Sequence, residues 1–306
     1  MGGTGMRVSA TGLGTLTWGR DTDEHEAREQ LEVFLDAGGT VIDTAATYGD
    51  GAAEELLGDF IRNVVPRPEL VIVTKAGVRS RPDGAVVDNS RGAILNSLDA
   101  SLQRLGTDYV DLLLVQGPDA KTPIDETLGA LELAVRSGKA RYVGLANHSG
   151  WQVAQAATLL RDSVRLAGAQ VEYSLVNRDA ERELFPAAQA LGVGVMAWSP
   201  LGRGVLTGKY RRGTPADSRA ASAHLAGFVQ PYLSSSARTI VEALVTAADG
   251  LGKHPAEVAL AWARDRGEIA CAIVGARTAQ QLRGSLGEAA VELPKEVRLA
   301  LDDISA

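Results

Sequence analysis

An α/β fold, a single (β/α)8 barrel, is predicted by three features of the chain. Short apolar runs rich in β-branched residues alternate with segments of helical period, eight times in 306 residues. Most runs are apolar without strict alternation, which marks strands covered on both faces, as in parallel sheets. Most also stop abruptly at one polar or aromatic residue, as strands opening into a common mouth would. The alternative is a doubly wound sheet, whose phosphate turn needs Gly-x-Gly-x-x-Gly between a strand and a helix. Gly12-Leu-Gly14 supplies two of those glycines, and Gly202-Arg-Gly204 leads into a loop.

In chain order, Val8–Trp18 alternates apolar residues with Gly and Thr, and is read as a barrel-closing N-terminal β-hairpin and a first strand near Leu13–Thr17. Asp23 caps a helix over 24–37 with Ala27, Leu31, Phe34 and Leu35 on one face, ended by Gly38-Gly39. The second strand opens Val41-Ile-Asp-Thr-Ala-Ala-Thr-Tyr48, and Leu56, Leu57, Phe60 and Ile61 mark a helix near 52–62. Leu70–Thr74 is a strand ending in Lys75, with a helix near 90–105 behind it. Val110–Val115 ends in Gln116, and a helix begins at Pro123 and Asp125 and runs to Gly138. Arg141–Ala146 ends in Asn147, before a helix near 150–162. Leu166–Ala169 ends in Gln170, before a helix near 180–191. Val193–Ala197 ends in Trp198.

The alternation then breaks. Residues 199–234 are rich in Gly, Pro and Ser with weak periodicity, a long loop expected to lie over the mouth. Helices resume near 236–250 and 255–265, Ala270–Val274 is the last strand and ends at Gly275, a helix follows near 278–287, and a short C-terminal helix occupies 295–304. The whole, residues 1–306, reads as one domain of TIM-barrel type.

Composition narrows the classes of function. A net charge of −7, with acidic and basic residues interspersed, argues against a nucleic-acid partner. Cys271 is the only cysteine, and His25, His148, His224 and His254 lack ligand spacing, so no metal site is expected. No stretch reaches the roughly 18 apolar residues of a membrane span. Met1-Gly-Gly-Thr-Gly-Met6 has no signal-peptide character, and such a glycine-rich end is expected to be disordered. The cytoplasm is the expected location, and nothing in the sequence sets an oligomeric state.

At the strand ends, Asp43, Lys75, Gln116, Asn147, Gln170, Trp198 and Gly275 should converge, with Tyr48 from a loop. Lys75 beside Tyr48 would favour the phenolate and lower the tyrosine pKa from about 10. Asp43 would hold the ammonium in place, and Tyr48 could then exchange a proton with a carbonyl or alcohol oxygen. Asp43 and Lys75 alone would equally suit a structural ion pair; it is Tyr48, in phase with them, that adds chemistry.

These words resemble the aldo-keto reductases over nearly the whole chain: Asp43-Thr-Ala-Ala-Thr-Tyr48-Gly, Thr74-Lys75, Asp111-Leu-Leu-Leu-Val-Gln-Gly-Pro-Asp119, Gly144-Leu-Ala-Asn147, Gln170-Val-Glu-Tyr-Ser174, Trp198-Ser-Pro-Leu-Gly-Arg-Gly204 and Ile273-Val-Gly-Ala-Arg277. The resemblance implies hydride transfer from NADPH, in preference to NADH, to a small aldehyde or ketone. It puts Asp43, Tyr48, Lys75 and Gln116 at the catalytic positions. Asn147 and Gln170 match the amides that hold the carboxamide, and Trp198 the ring that stacks on the nicotinamide. Ser199, Pro200, Leu201, Gly202, Arg203 and Gly204 match the loop over the pyrophosphate. Thr15, Leu16, Lys209 and Gly275 are further implied cofactor contacts, and Arg277 and Gln281 match the part near the adenine and its ribose phosphate. Trp18, Tyr48, Gln116 and Phe228 would face the substrate, with Tyr232 a further candidate wall.

The chain departs from the family at Gln116, where histidine is usual. Glutamine can donate an N–H to a carbonyl but cannot titrate. The expectation is an orienting donor, with slow turnover of ordinary aldehydes and a several-fold gain on restoring histidine. Two alternatives follow: reduction of a conjugated C=C, as in relatives with glutamate there, and a slow, cofactor-binding regulatory subunit like the potassium-channel β-subunits, which also lack the histidine. Gly284, Ser285 and Ala146 stand where the family often has Glu, Asn and Ser, which removes hydrogen-bonding groups near the cofactor.

Overall fold

The computed structural model describes all residues except 82, 83, 217, 223, 224 and 288–290, so His224 lies outside the described residues. The first half of the chain forms β1 (Thr11–Gly14), α1 (Glu24–Asp36), β2 (Val41–Asp43), α2 (Ala52–Asn63), β3 (Val71–Ala76), β4 (Val78–Arg81), β5 (Gly84–Val87), α3 (Arg91–Leu105), β6 (Val110–Val115), α4 (Ile124–Arg136), β7 (Ala140–Ala146) and α5 (Gly150–Leu160). The second half forms β8 (Leu166–Glu172), α6 (Leu184–Leu191), β9 (Gly194–Trp198), α7 (Ala226–Val229), α8 (Ser235–Leu251), α9 (Pro255–Arg264), β10 (Ile269–Val274), α10 (Ala279–Leu286) and α11 (Lys295–Ile304). Eight strands close into a parallel barrel in the order β1-β10-β9-β8-β7-β6-β3-β2, the (β/α)8 architecture expected. The C-terminal helix is present as α11.

Two apolar regions build the molecule. The larger lies between barrel and helices and contains Leu13, Leu31, Phe34, Ile42, Leu57, Ile72, Leu98 and Trp262. The smaller fills the barrel and contains Val41, Val73, Leu112, Leu114, Met196, Cys271 and Ile273. Side chains alternate along a strand, so the residue two beyond each lumen residue also points inward, one layer nearer the mouth. That parity takes Val41 to Asp43, Val73 to Lys75, Leu114 to Gln116 and Met196 to Trp198.

The N-terminus is not a hairpin. Residues 1–10 form turns without strand pairing, and the glycine-rich end is ordered against the barrel. The Gly3 N–H donates to Gly192 O at 2.6 Å, and Met6 is buried in the lumen cluster with Met1 packed on it. Met1 occupies space that only glycine leaves open, since a Cβ on Gly168 or Gly194 would run into it. The hairpin that does exist, β4–β5, follows β3 and was not expected. The first strand also ends earlier than expected. Thr15–Thr22 folds into turns, with the Trp18 N–H on Thr15 O and the Thr22 N–H on Thr17 O. The described residues of 199–234 contain α7 and short helical turns. No helix among the described residues is long and apolar enough to cross a membrane.

Candidate active site

Lys75 Nζ is the centre of the mouth. It donates to both oxygens of Asp43 at 2.8 Å, to Thr44 O at 2.9 Å and to Tyr48 Oη at 3.3 Å. Asp43 and Lys75 are only 2% and 3% exposed, so neither charge is solvated by water and each depends on the other. Asp43 takes a further bond of 2.6 Å from Gln170 Nε2. Three polar residues expected to converge from separate strands are thus joined through one carboxylate. Gln170 spends an N–H there, so only its remaining amide capacity faces the cavity.

Electrostatics reverse one expectation. Burial pushes the Tyr48 phenol above its ordinary pKa; the Lys75 charge pulls it back, but Asp43 adds to the rise, and the net direction is up rather than down. Burial also opposes the charge on Lys75, but Asp43 and Tyr48 more than offset it, and the ammonium stays protonated beyond its usual range. At neutral pH the pair is a neutral phenol donating from beside a fixed cation.

Gln116 is drawn aside by a neighbour that sequence reasoning missed. Its Nε2 donates to Thr47 Oγ1 at 3.0 Å, and its own backbone carbonyl accepts from Asn147 Nδ2 at 2.8 Å. Ala146 already points into the lumen, so Asn147 should turn outward. A left-handed conformation, φ 60°, returns it to the mouth, a strain that Asn tolerates better than most residues. Trp198 Nε1 donates to Asn147 Oδ1 at 2.9 Å, which fixes the plane of the indole.

A cavity of about 230 Å³ is lined by Asp43, Tyr48, Lys75, Gln116, Asn147, Gln170 and Trp198, with Gly14, Leu16, Ile273, Val274 and Gly275 behind them. Ser199, Pro200, Leu201, Arg203, Gly204 and Phe228 line it from the long loop. Thr15, Gly202, Lys209, Arg277 and Gln281 do not reach it. Thr15 is buried with its hydroxyl on Asp43 O, and Gln281 Oε1 accepts from the Arg277 N–H. Trp18 is not a substrate wall. It is fully buried, donates to Gln30 Oε1 at 2.9 Å and packs edge-on to Phe60; the turns at Thr15–Thr22 carry it away from the mouth. Tyr232 likewise lies outside the cavity, where its hydroxyl accepts from Asn177 Nδ2.

Two arginines differ from expectation. Arg203 is turned to Glu172, with bonds of 2.7 and 2.6 Å, and to Phe228 O at 2.6 Å. Its guanidinium also lies 3.9 Å from the Phe228 ring centre and 4.8 Å from that of Tyr232. Arg203 therefore fastens the loop, and most of its N–H groups are spent on protein. Arg219, which the sequence did not single out, lines the cavity instead. It donates to Gly275 O at 2.9 Å, and no carboxylate among the described residues forms an ion pair with it. Burial pulls its pKa down, and the nearby Arg277 charge adds to that effect. Tyr210 and the Asp21 carboxylate act the other way on Arg219, and Asp21 also faces the Arg277 charge, so the protein itself offsets part of this positive charge.

Comparisons with known proteins agree with this geometry. A sequence profile described as the Aldo/keto reductase family matches residues 10–306. An uncharacterized oxidoreductase of Bacillus subtilis, YrpG, is 37% identical over 99% of this chain and 94% of its own. A probable voltage-gated potassium channel subunit beta of rice is 35% identical over 92% of this chain and 88% of its own. The L-glyceraldehyde 3-phosphate reductase of Escherichia coli K12 is 36% identical over 92% of this chain and 84% of its own. With a closed parallel barrel, a buried Asp–Lys–Tyr cluster at its mouth and a family match over almost its full length, this chain belongs to the aldo/keto reductase family.

Proposed function

We propose that the protein is an NADP(H)-dependent reductase of aldehydes and ketones, with Tyr48 as proton donor. The observation that carries the reading is the Lys75 ammonium, buried on Asp43 and 3.3 Å from a phenol that opens on the cavity. The residues fit a dinucleotide. Trp198 offers a fixed aromatic face, Asn147 and Gln170 offer amides, and Ser199–Gly204 wrap the cavity through the left-handed residues Ser199, Gly202, Arg203 and Gly204. Arg219, which lines the cavity within electrostatic reach of Arg277, suits a phosphate, and a 2′-phosphate on the ribose is what would favour NADP(H) over NAD(H). When bound, the reduced nicotinamide supplies the hydride that adds to the carbonyl carbon.

The chain's own residues then do three things. Tyr48 gives its proton to the carbonyl oxygen as negative charge develops there. Lys75, held by Asp43, stabilises the phenolate left behind, which bulk water then reprotonates. Gln116 and the apolar surfaces of Leu16, Ile273 and Phe228 hold the substrate and exclude water.

The test is to mix the protein with NADPH and a panel of aldehydes, ketones and enones, and to follow loss of the reduced-nicotinamide absorbance. Oxidation with at least one carbonyl is expected. Tyr48→Phe should lower it about 10²–10⁴-fold, the usual worth of a positioned acid, while NADPH still quenches tryptophan fluorescence. A second reading, a slow cofactor-binding regulatory subunit, is favoured by the non-titrating Gln116 and by the name of the rice relative. Tight NADPH binding without oxidation across the panel would select it.

A further inference from the structure

We infer that Asp21 is a specificity-determining residue, an internal counter-ion to Arg219 and Arg277 against which a dinucleotide phosphate has to compete. The inference rests on reading the cavity as a dinucleotide site, and not on the reduction itself. Three distant segments of the chain meet here: the turns at Thr15–Thr22, the long loop at Ser218–Ser222, and the residues after β10. Ser222 Oγ donates to Asp21 Oδ1 at 3.1 Å, and Arg20 Nε donates to the other oxygen at 3.1 Å. The Ser222 N–H donates to Arg219 O at 3.1 Å, so one helical turn joins the residue that holds Asp21 to the arginine of the cavity. Thr22, next to Asp21, donates from Oγ1 to Arg277 O at 3.3 Å, and Arg277 Nη1 donates to Ser218 O at 3.1 Å. These bonds draw one carboxylate and two guanidinium groups into a single cluster.

The carboxylate is charged where it stands. Burial opposes the charge, but the bonds from Arg20 and Ser222 and the charges of Arg20 and Arg277 outweigh it, and the Asp21 pKa lies below the ordinary carboxylate value. The side chain is only 9% exposed, so water and salt screen it less than a surface charge. Arg219 lines the cavity and Asp21 does not. Asp21 therefore acts on a ligand through its charge rather than by contact. A phosphate that pairs with Arg219 brings negative charge towards a place that already holds a carboxylate, and the repulsion is set against the new ion pair. Such an arrangement discriminates against the more highly charged ligand, because specificity is a difference of affinities. The Ser222 bond has a second consequence with the opposite sign, since it ties the long loop to the turns and would help to hold Arg219 in place. Charge and tether are thus separable by the direction of the effect.

The experiment compares the wild type with Asp21→Asn, Asp21→Glu and Ser222→Ala, and measures binding of NADPH and of NADH by titration calorimetry at low and at high salt. Asparagine keeps the shape of aspartate and still accepts from Ser222, but carries no charge. We expect Asp21→Asn to bind NADPH about three- to tenfold more tightly at low salt, with a smaller gain at high salt, as for the removal of one partly screened like charge. Asp21→Glu keeps the charge and should show no such gain. Ser222→Ala loses the tether, keeps the carboxylate and should show none either. The two dinucleotides locate the phosphate concerned: a gain for NADPH alone points to the 2′-phosphate, and an equal gain for both points to the pyrophosphate. Either supports the inference. NADPH binding unchanged or weaker in Asp21→Asn, an equal gain in Asp21→Glu or Ser222→Ala, or a gain indifferent to salt would each overturn it. A wild type that binds NADPH but reduces no carbonyl would fail the reductase reading and leave this measurement intact. Failure of both the wild type and Asp21→Asn to bind either dinucleotide would overturn the inference together with the cofactor reading.

Discussion

Tyr48 shows how a single side chain can be misjudged from its neighbours. An ammonium next to a phenol suggests an acidified phenol, and Lys75 does pull in that direction. Lys75 is withdrawn from water and Tyr48 partly so, however, and the carboxylate that neutralises Lys75 also opposes a second negative charge nearby. The result is a proton donor that is loaded at all ordinary pH values. The sign is worked out simply: the folded pKa lies above the ordinary 10, so the protonated form dominates below it and is lost only above it. With Gln116 unable to titrate, carbonyl reduction should stay level from neutral pH to about pH 9 and fall only at higher pH. The measurement is the pH dependence of kcat for reduction at saturating NADPH. A descending limb centred near neutrality would mean that the phenol is acidified after all.

Among elements, the long loop after β9 was legible as a loop and illegible in its workings. Arg203 sits inside a run that matches a pyrophosphate-covering loop, yet its guanidinium is locked to Glu172 and boxed by Phe228 and Tyr232. Glu172 and Arg219 could not be singled out in advance. Glu172 stands at the end of β8 amid ordinary polar residues, and Arg219 is one arginine in a loop whose path depends on contacts far away in sequence. The β4–β5 hairpin was missed for another reason: its strands are four residues each and mostly exposed, with arginine and serine in β4 and only Gly-Ala-Val-Val in β5, so neither shows the long buried run of a barrel strand. The locked arginine makes opposite outcomes possible for Glu172→Gln. Both partners are largely buried, at 15% and 12% side-chain exposure, so the clamp is not a solvent-screened surface pair. If Arg203 serves to fasten the loop, the variant should bind NADPH about tenfold more weakly, a change of roughly 1.4 kcal/mol. If Arg203 is instead a pyrophosphate ligand held in reserve, freeing it should tighten binding. Titration calorimetry with NADPH separates the two by sign.

At the scale of the whole molecule, the strands and their order were readable because buried parallel strands and their covering helices impose different periods on the chain. The mouth was readable because parity places the residue after each lumen pair at the rim. The opposite end was not, because it is closed by a glycine-rich segment with no periodicity at all. There the first residues do what a hairpin was expected to do: Met6 is 5% exposed and joins Met196 and Leu112 in the lumen, and Met1 fills the room left by Gly168 and Gly194. In a barrel of this kind the two ends divide the labour, chemistry at the C-terminal rim and stability at the other. The prediction is a separation of the two by one substitution. Met6→Ala removes a buried side chain that no polar group of the mouth touches, and should cost about 2–4 kcal/mol of stability, as large-to-small changes in a core do. The urea midpoint should fall with little change in slope, while kcat and NADPH affinity at low temperature stay at wild-type values. A variant as stable as the wild type would show that the terminal segment only rests on the barrel. A variant of normal stability but altered kcat would show that the lumen transmits its packing to the rim, and the barrel would then have to be treated as one mechanical unit rather than as two ends.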